Sequence, residues 1–215
     1  MNLGLIKSEK ISYLTIVNGK IAKACQSDQP DAEKYVTKDG KEKWYIFFSG
    51  ITGFLESISI KLPPENHPEY SANWILRISA NSETFQLQIP QSSGYAHAFF
   101  CILPNVNPEE PLNIQPSCRT QIWEGKERES RTIFLKQNGE LLKWAHTSKD
   151  KRGLPDVEVI QSKGGKTLYD DTERNEFFKN IMNIYNEKRL ACRELTAVKD
   201  VPTDTDIEYS EDLPF

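Results

Sequence analysis

Hydrophobic and polar residues alternate along several short stretches in the first two-thirds of the chain, the pattern of half-buried β-strands. Two such stretches, 13–17 and 20–24, flank Asn18-Gly19. Similar stretches flank Asp39-Gly40 and Asn138-Gly139. These dipeptides suit the positive φ angles of two-residue hairpin turns. The pattern therefore predicts hairpins over 13–24, 35–49, 74–89 and 132–145.

The predicted strands are short and are separated by Pro and Gly clusters, which favours a closed or partly closed antiparallel barrel. After Thr147 the pattern changes to charged, Gly-containing loops around one short strand, 157–161. Asp170 and Glu173 then stand at capping-box spacing. Apolar residues follow at helical spacing, which predicts an amphipathic helix over about 172–191 whose apolar stripe packs on the barrel.

Residues 196–215 show no periodicity, so the sequence predicts a folded domain over 1–195 and a disordered tail over 196–215. Segment 200–215 carries six acids and no Lys or Arg. The whole chain of 215 residues has a net charge of −4, but residues 1–199 carry 25 acids against 27 Lys and Arg, a net charge of +2. The protein is thus a mildly basic body with an acidic appendage, which permits a nucleic acid partner.

The acidic segment finishes on Asp212-Leu213-Pro214-Phe215. This ending resembles the tip of bacterial and phage single-stranded DNA-binding proteins, although the usual bacterial form has Ile where Leu213 stands. The likeness covers about the last six residues, and a phage-type or divergent member fits the body better than the common bacterial form. The resemblance implies an oligonucleotide-binding (OB) barrel with inserted hairpins. It also implies a tail that binds replication, recombination and repair proteins through Asp206, Glu208, Glu211, Asp212, Leu213, Pro214 and Phe215.

Single-stranded DNA without sequence choice is bound by aromatic faces that stack on bases and by cations that follow the phosphates. Strand alternation sorts the candidates. In 41–49, one face mixes cations and rings, whereas Trp44, Ile46 and Phe48 form an apolar face predicted to be core. Trp74 is also predicted to be core. The predicted DNA-binding residues are Lys41, Lys43, Tyr45, Phe47, Arg77, Arg119, Trp123, Phe134, Lys136 and Lys143.

Chemistry that would indicate an enzyme is sparse, so we expect no catalysis and no cofactor. Asp156, Glu158 and Lys163 could form a metal-dependent nuclease site, but their spacing is unusual for one. His97 with Cys101 and Cys118 could supply three zinc ligands without a clear fourth. Lys163-Gly-Gly-Lys-Thr167 lacks the first glycine of a phosphate-binding loop. An adaptor that has the same tail but binds no DNA stays open as an alternative function.

The four cysteines have no paired spacing, and neither a secretory signal nor an apolar run of membrane-spanning length is recognisable. We therefore expect a cytoplasmic protein with reduced thiols and no membrane partner. The resemblance of the tail implies that the cell is bacterial or phage-infected. Homo-oligomers are common in the family that the tail resembles, but the sequence does not fix a number of subunits.

Overall fold

The computed structural model describes residues 10–37, 39–66, 71–123, 125–147, 153–161 and 167–199. These residues form a mainly β protein with two α-helices. The helices are α1 (Gly94–Ile102) and α2 (Thr172–Lys199). The strands are β1 (Ile11–Val17), β2 (Lys20–Ala24), β3 (Glu33–Val36), β4 (Glu42–Phe48), β5 (Ile51–Lys61), β6 (Asn73–Ala80), β7 (Glu83–Pro90), β8 (Leu112–Trp123), β9 (Lys126–Gln137), β10 (Glu140–Leu141), β11 (Glu158–Gln161) and β12 (Thr167–Asp170).

Ten strands form one sheet in the order β10-β9-β8-β5-β6-β7-β1-β2-β4-β3, and β11 with β12 forms a separate hairpin. Strands β1 and β7 are parallel, so the sheet is mixed rather than wholly antiparallel. Among the described residues, backbone pairing leaves β10 and β3 at the two ends, so it does not close a barrel. The β1–β2 hairpin is confirmed, because Asn18 and Gly19 have the positive φ angles that its turn requires.

The core lies between one face of the sheet and α1, a helix that the sequence pattern did not predict. Seven of its nine residues are buried, including Phe99, Phe100 and Cys101. A helix that is apolar on every side lacks the amphipathic period by which helices are recognised. The Ser93 hydroxyl caps it by accepting a hydrogen bond from the backbone N–H of Ala96. Trp74 is fully buried against Phe100, which confirms its predicted core position.

The core face predicted for β4 is wrong in part. Phe48 is 44% exposed, whereas Tyr45, assigned to the opposite face, is only 8% exposed. Strand β4 lies near one end of the sheet, between β2 and β3. The rings of Tyr35 and Phe47 pack against Tyr45 there. Burial at this end of the sheet is therefore set by neighbouring strands rather than by the central core.

Helix α2 begins where the sequence predicted but continues about eight residues further, to Lys199. Its buried residues Phe178, Ile181 and Tyr185 belong to the core. The Tyr185 hydroxyl donates to the carbonyl of Leu55, and the Asn186 side chain accepts from and donates to the backbone of Ile58. The helix is thereby bonded to β5 on both sides of its β-bulge, beyond the residues 51–53 that pair with β8.

Glu56, at this bulge, anchors the second half of α2. Its carboxylate accepts hydrogen bonds from Ser79 and Arg189 and forms an ion pair with Arg193. Glu56 and Arg189 are both nearly buried, with side chains 12% and 13% exposed. Burial opposes ionisation of Glu56, but the Ser79 hydrogen bond and the two arginine charges outweigh it and lower its pKa. The carboxylate is therefore held in its charged form.

Replacing Glu56 with Gln should destabilise the protein by about 1–3 kcal/mol at neutral pH, since Arg189 would lose its counter-charge. A lowered folded pKa means that the stabilisation is complete above the unfolded value of 4.5 and is lost as pH falls through the folded value. Urea unfolding at several pH values should show the difference between wild type and Glu56→Gln shrinking below about pH 4.5. A difference that stays constant across this range would contradict the ionic role of Glu56.

Candidate nucleic-acid interface

Strand register divides the side chains of the ten-stranded sheet between two faces. Residues paired across neighbouring strands share a face, and successive residues alternate. Leu14, Leu87, Leu76 and Ile58 follow one another across β1, β7, β6 and β5 on the face that packs on α1. We call the opposite face the polar face. Across the same strands it carries Tyr13, Gln86, Arg77 and Ser57.

Cations dominate the polar face. Among the residues whose side chains are described, the register places seven Lys and Arg residues there and one carboxylate, Glu33. Glu56, the unpaired residue of the β5 bulge, adds a carboxylate that accepts from Ser79 of this face and is paired with Arg189 and Arg193. Since the body as a whole is nearly balanced in charge, this face concentrates positive potential. The cations are Lys20, Lys43, Lys61, Arg77, Arg119, Arg128 and Lys136.

At one end of the polar face, β2, β3 and β4 hold a cluster of aromatic rings. The Tyr45 ring lies 6.1 Å from that of Tyr35 and 5.9 Å from that of Phe47. Lys20 Nζ lies 5.8 Å from the centroid of the Phe47 ring. Lys43 pairs with Tyr35 in the register and is exposed. Tyr45 offers little ring surface to a ligand, whereas Phe47 and Tyr35 are half-buried and offer more.

The middle of the polar face contains a residue that the sequence analysis missed. Tyr13 is 59% exposed and lies in the same cross-strand row as Gln86 and Arg77. Alternation in 13–17 could have identified it, because Leu14 and Ile16 take the core positions. An exposed ring in a row with an amide and a guanidinium is suited to stacking on a base.

The long β8–β9 hairpin supplies the other end of the polar face. Phe134 pairs with Gln115 and Lys136 with Asn113, and all four are half-buried. Further out, Arg119 and Arg128 are exposed. Trp123, which pairs with Lys126 at the end of the hairpin, occupies a polar-face position like Arg119. Its side chain lies outside the described part of the structure.

Two predicted DNA-binding residues are placed elsewhere. Lys41 precedes β4, in a turn where its backbone bonds with Thr37. Lys143 lies beyond β10, which ends at Leu141, and its carbonyl accepts a hydrogen bond from Asn105, next to the end of α1. Lys143 is therefore on the helical side of the sheet, because the predicted final strand is only two residues long. The other eight predicted residues occupy polar-face positions, and their contact with DNA stays a prediction.

The β1–β2 turn brings the two ends of the polar face together. A Cβ atom on Gly19 would lie 2.3 Å from the backbone nitrogen of Cys118 in β8. The backbone of Gly19 also bonds to Tyr95, which is buried at the start of α1. Burial and the neighbouring Cys118 raise the pKa of Tyr95 to about 12, although the hydrogen bond with Gly19 acts to lower it. The turn is thus packed against β8 although no ladder joins β2 to β8.

The metal-site alternatives gain no support from the described residues. No group of three or more His, Cys, Asp or Glu side chains among them is arranged to hold a metal ion. The Cys101 sulfur lies 3.9 Å and 4.0 Å from the His97 ring nitrogens, but Cys118 lies beside Tyr95 instead. Asp156 and Glu158 are exposed, and Lys163 lies outside the described residues. None of the four cysteines, all in the described part, forms a disulfide.

The acidic segment 200–215, including the tip residues from Asp206 to Phe215, also lies outside the described residues. None of the described helices is both long and apolar enough to cross a membrane. Comparison of the chain with protein-family models, with curated proteins and with solved structures finds no match. The polar face and the sequence of the tail are therefore the features of this protein that bear on its function.

Proposed function

We propose that this protein binds single-stranded DNA without sequence choice and protects it during replication, recombination and repair. The observation that carries the proposal is the polar face, on which seven described cations and several aromatic rings accompany one regularly paired carboxylate, Glu33. Phosphates would follow the cations, and bases would stack on exposed rings at roughly 1–3 kcal/mol per base. Such binding requires neither catalysis nor a cofactor.

Strand connectivity supports an OB-like body. Strands β5, β6 and β7 form a meander, α1 follows, and β8 with β9 forms a hairpin whose first strand pairs back with β5. A five-stranded, partly open Greek-key barrel of this kind binds oligonucleotides on its second and third strands and on the loops that flank them. Here those strands are β6 and β7, which carry Arg77 and Gln86 on the polar face. Strands β1 to β4 would be additions that widen the same face.

The tail would serve as a separate peptide for partner proteins. Its six carboxylates suit a basic docking site, and the side chains of Leu213 and Phe215 would fill an apolar pocket there. The same carboxylates would compete with DNA for the polar face and sharpen the salt dependence of binding. This part of the proposal comes from the resemblance of the tail sequence.

Short oligo(dT) should bind the full chain, and the logarithm of the affinity should fall linearly with the logarithm of the salt concentration. Deleting 200–215 should preserve or strengthen this binding and abolish capture of replication proteins from a bacterial extract. Absence of binding at low salt by both proteins would reject the DNA-binding proposal and favour the adaptor. Capture that survives the deletion would reject the role of the tail. Loss of the oligonucleotide only with Mg²⁺ would indicate a nuclease.

A further inference from the structure

The second half of α2 presents apolar side chains to water. In the first half, Phe178, Ile181 and Tyr185 are buried against the body. Ile184, which lies between Ile181 and Tyr185, is 53% exposed, and Leu190 and Leu195 beyond them are 58% and 64% exposed. Helices in proteins owe most of their stability to the packing of their apolar face. Apolar residues left exposed on this helix of 28 residues therefore indicate that another surface packs against them.

The exposed residues on one side follow a heptad pattern. Starting from Ile181, the positions Ile184, Lys188, Ala191 and Leu195 follow at alternating intervals of three and four residues. At 3.6 residues per turn these positions form one narrow stripe along the helix. We call Ile184, Lys188, Ala191 and Leu195 the α2 seam. Leu190 lies roughly a third of a turn away from it.

The seam continues into a groove beside the first half of the helix. The groove has a volume of about 340 Å³ and is lined mainly by apolar side chains. Ile181, Ile184 and Lys188 lie on its helical side, and Leu103, Pro104 and Val106 face them from the end of α1 and the turn that follows. Among the described residues, the uncovered apolar surface therefore extends over the seam and the neighbouring body.

We propose that the α2 seam is the surface through which two copies of this chain pair, with their α2 helices parallel. A heptad stripe is complementary to another stripe of the same repeat, and a two-fold axis lets one surface serve both subunits. Lys188 at a seam position favours a two-stranded pair over larger bundles. In a parallel pair each Lys188 would face Lys188 of the partner subunit, and its flexible stem would let the ammonium group reach Glu187 of the partner subunit. An antiparallel pair would instead bring Glu187 close to Glu194 of the partner subunit, where like charges repel.

Pairing through the α2 seam would leave the cations of both polar faces available, because α2 packs along β5 and the end of α1 and reaches the polar face at Phe54, where Arg189 lies over the ring. Two linked DNA-binding faces would engage one strand with a higher effective affinity than a single face. The pairing itself depends only on the geometry of α2 and would hold whether or not the protein binds DNA.

Sedimentation equilibrium of the full chain should show a dimer, and Ile184→Glu or Leu195→Glu should raise its dissociation constant at least about tenfold. Leu190→Glu is the matched control, since it adds the same charge to the same helix off the seam, and should leave the constant unchanged. Circular dichroism checks that each variant keeps its fold. A monomer at every concentration, or an equal effect of Leu190→Glu, would overturn the proposal.

Orientation is tested by Ala191→Cys in a Cys192→Ser background. Parallel helices bring the two Ala191 positions together, so mild oxidation should link the subunits through a disulfide. If the variant still sediments as a dimer but forms no disulfide between its subunits, the parallel arrangement is wrong. Oligo(dT) binding of the Leu195→Glu monomer separates this inference from the proposed function, because the single polar face should still bind.

Discussion

Changing Lys43, Arg119 and Arg128 together to glutamate should weaken oligo(dT) binding at least about tenfold at low salt. All three side chains are exposed and lie on the polar face, on β4, β8 and β9. Each lost phosphate contact should lower the slope of log affinity against log salt by roughly 0.7, so the triple variant should lose about 2 in slope. Fluorescence anisotropy of labelled oligo(dT) over a salt series measures both quantities.

The charge-matched control changes Lys34, Lys143 and Lys179 to glutamate. Lys34 pairs with Trp44 on the opposite face, Lys143 lies beside α1, and Lys179 is on α2. The net charge changes by the same amount, so long-range repulsion of DNA is equal in the two proteins. We expect the control to bind within about threefold of wild type with an unchanged salt slope. Equal losses in both variants would show that the polar face is not the binding surface.

The elements that the sequence predicted well are those with local causes. The turn at Asn18-Gly19 depends on φ angles that Asn and Gly adopt readily, and the start of α2 depends on residues near Asp170. Alternation likewise placed Lys43 and Phe134 on the polar face, because side-chain direction follows from strand geometry alone. None of these predictions required knowledge of which strands are neighbours.

The errors concern properties set by distant parts of the chain. Tyr45 is buried because β3 brings Tyr35 against it, and Phe48 is exposed because β4 lies towards one end of the sheet. Lys143 was misplaced because its strand ends early, where the chain turns towards α1. Helix α1 has no polar side from which to recognise a period. The sequence pattern placed Ile184 in the apolar stripe that packs on the barrel, but Ile184 is exposed, since spacing does not say how much of a helix its own body covers.

Replacing Gly19 with Ala should destabilise the protein by about 1–3 kcal/mol more than replacing Gly139 with Ala. Both glycines occupy the second position of an Asn-Gly turn, with φ of 77° and 81°, so a Cβ costs each roughly 1–2 kcal/mol in backbone strain. Gly139 has no atom within 4 Å of the added Cβ, whereas at Gly19 the added atom meets backbone of β8. Overpacking at such a contact costs about a further 1–3 kcal/mol. Urea unfolding measures both losses.

The same substitution should also weaken oligo(dT) binding, although Gly19 offers no side chain to DNA. Its approach to Cys118 positions the end of the polar face with Lys20 and Phe47 relative to the end with Arg119. A strand that contacts both ends loses one set of contacts when the hairpin moves away from β8. Gly139→Ala should bind like wild type under conditions in which both variants are folded. If Gly19→Ala is destabilised but binds with full affinity, DNA contacts only one end of the polar face.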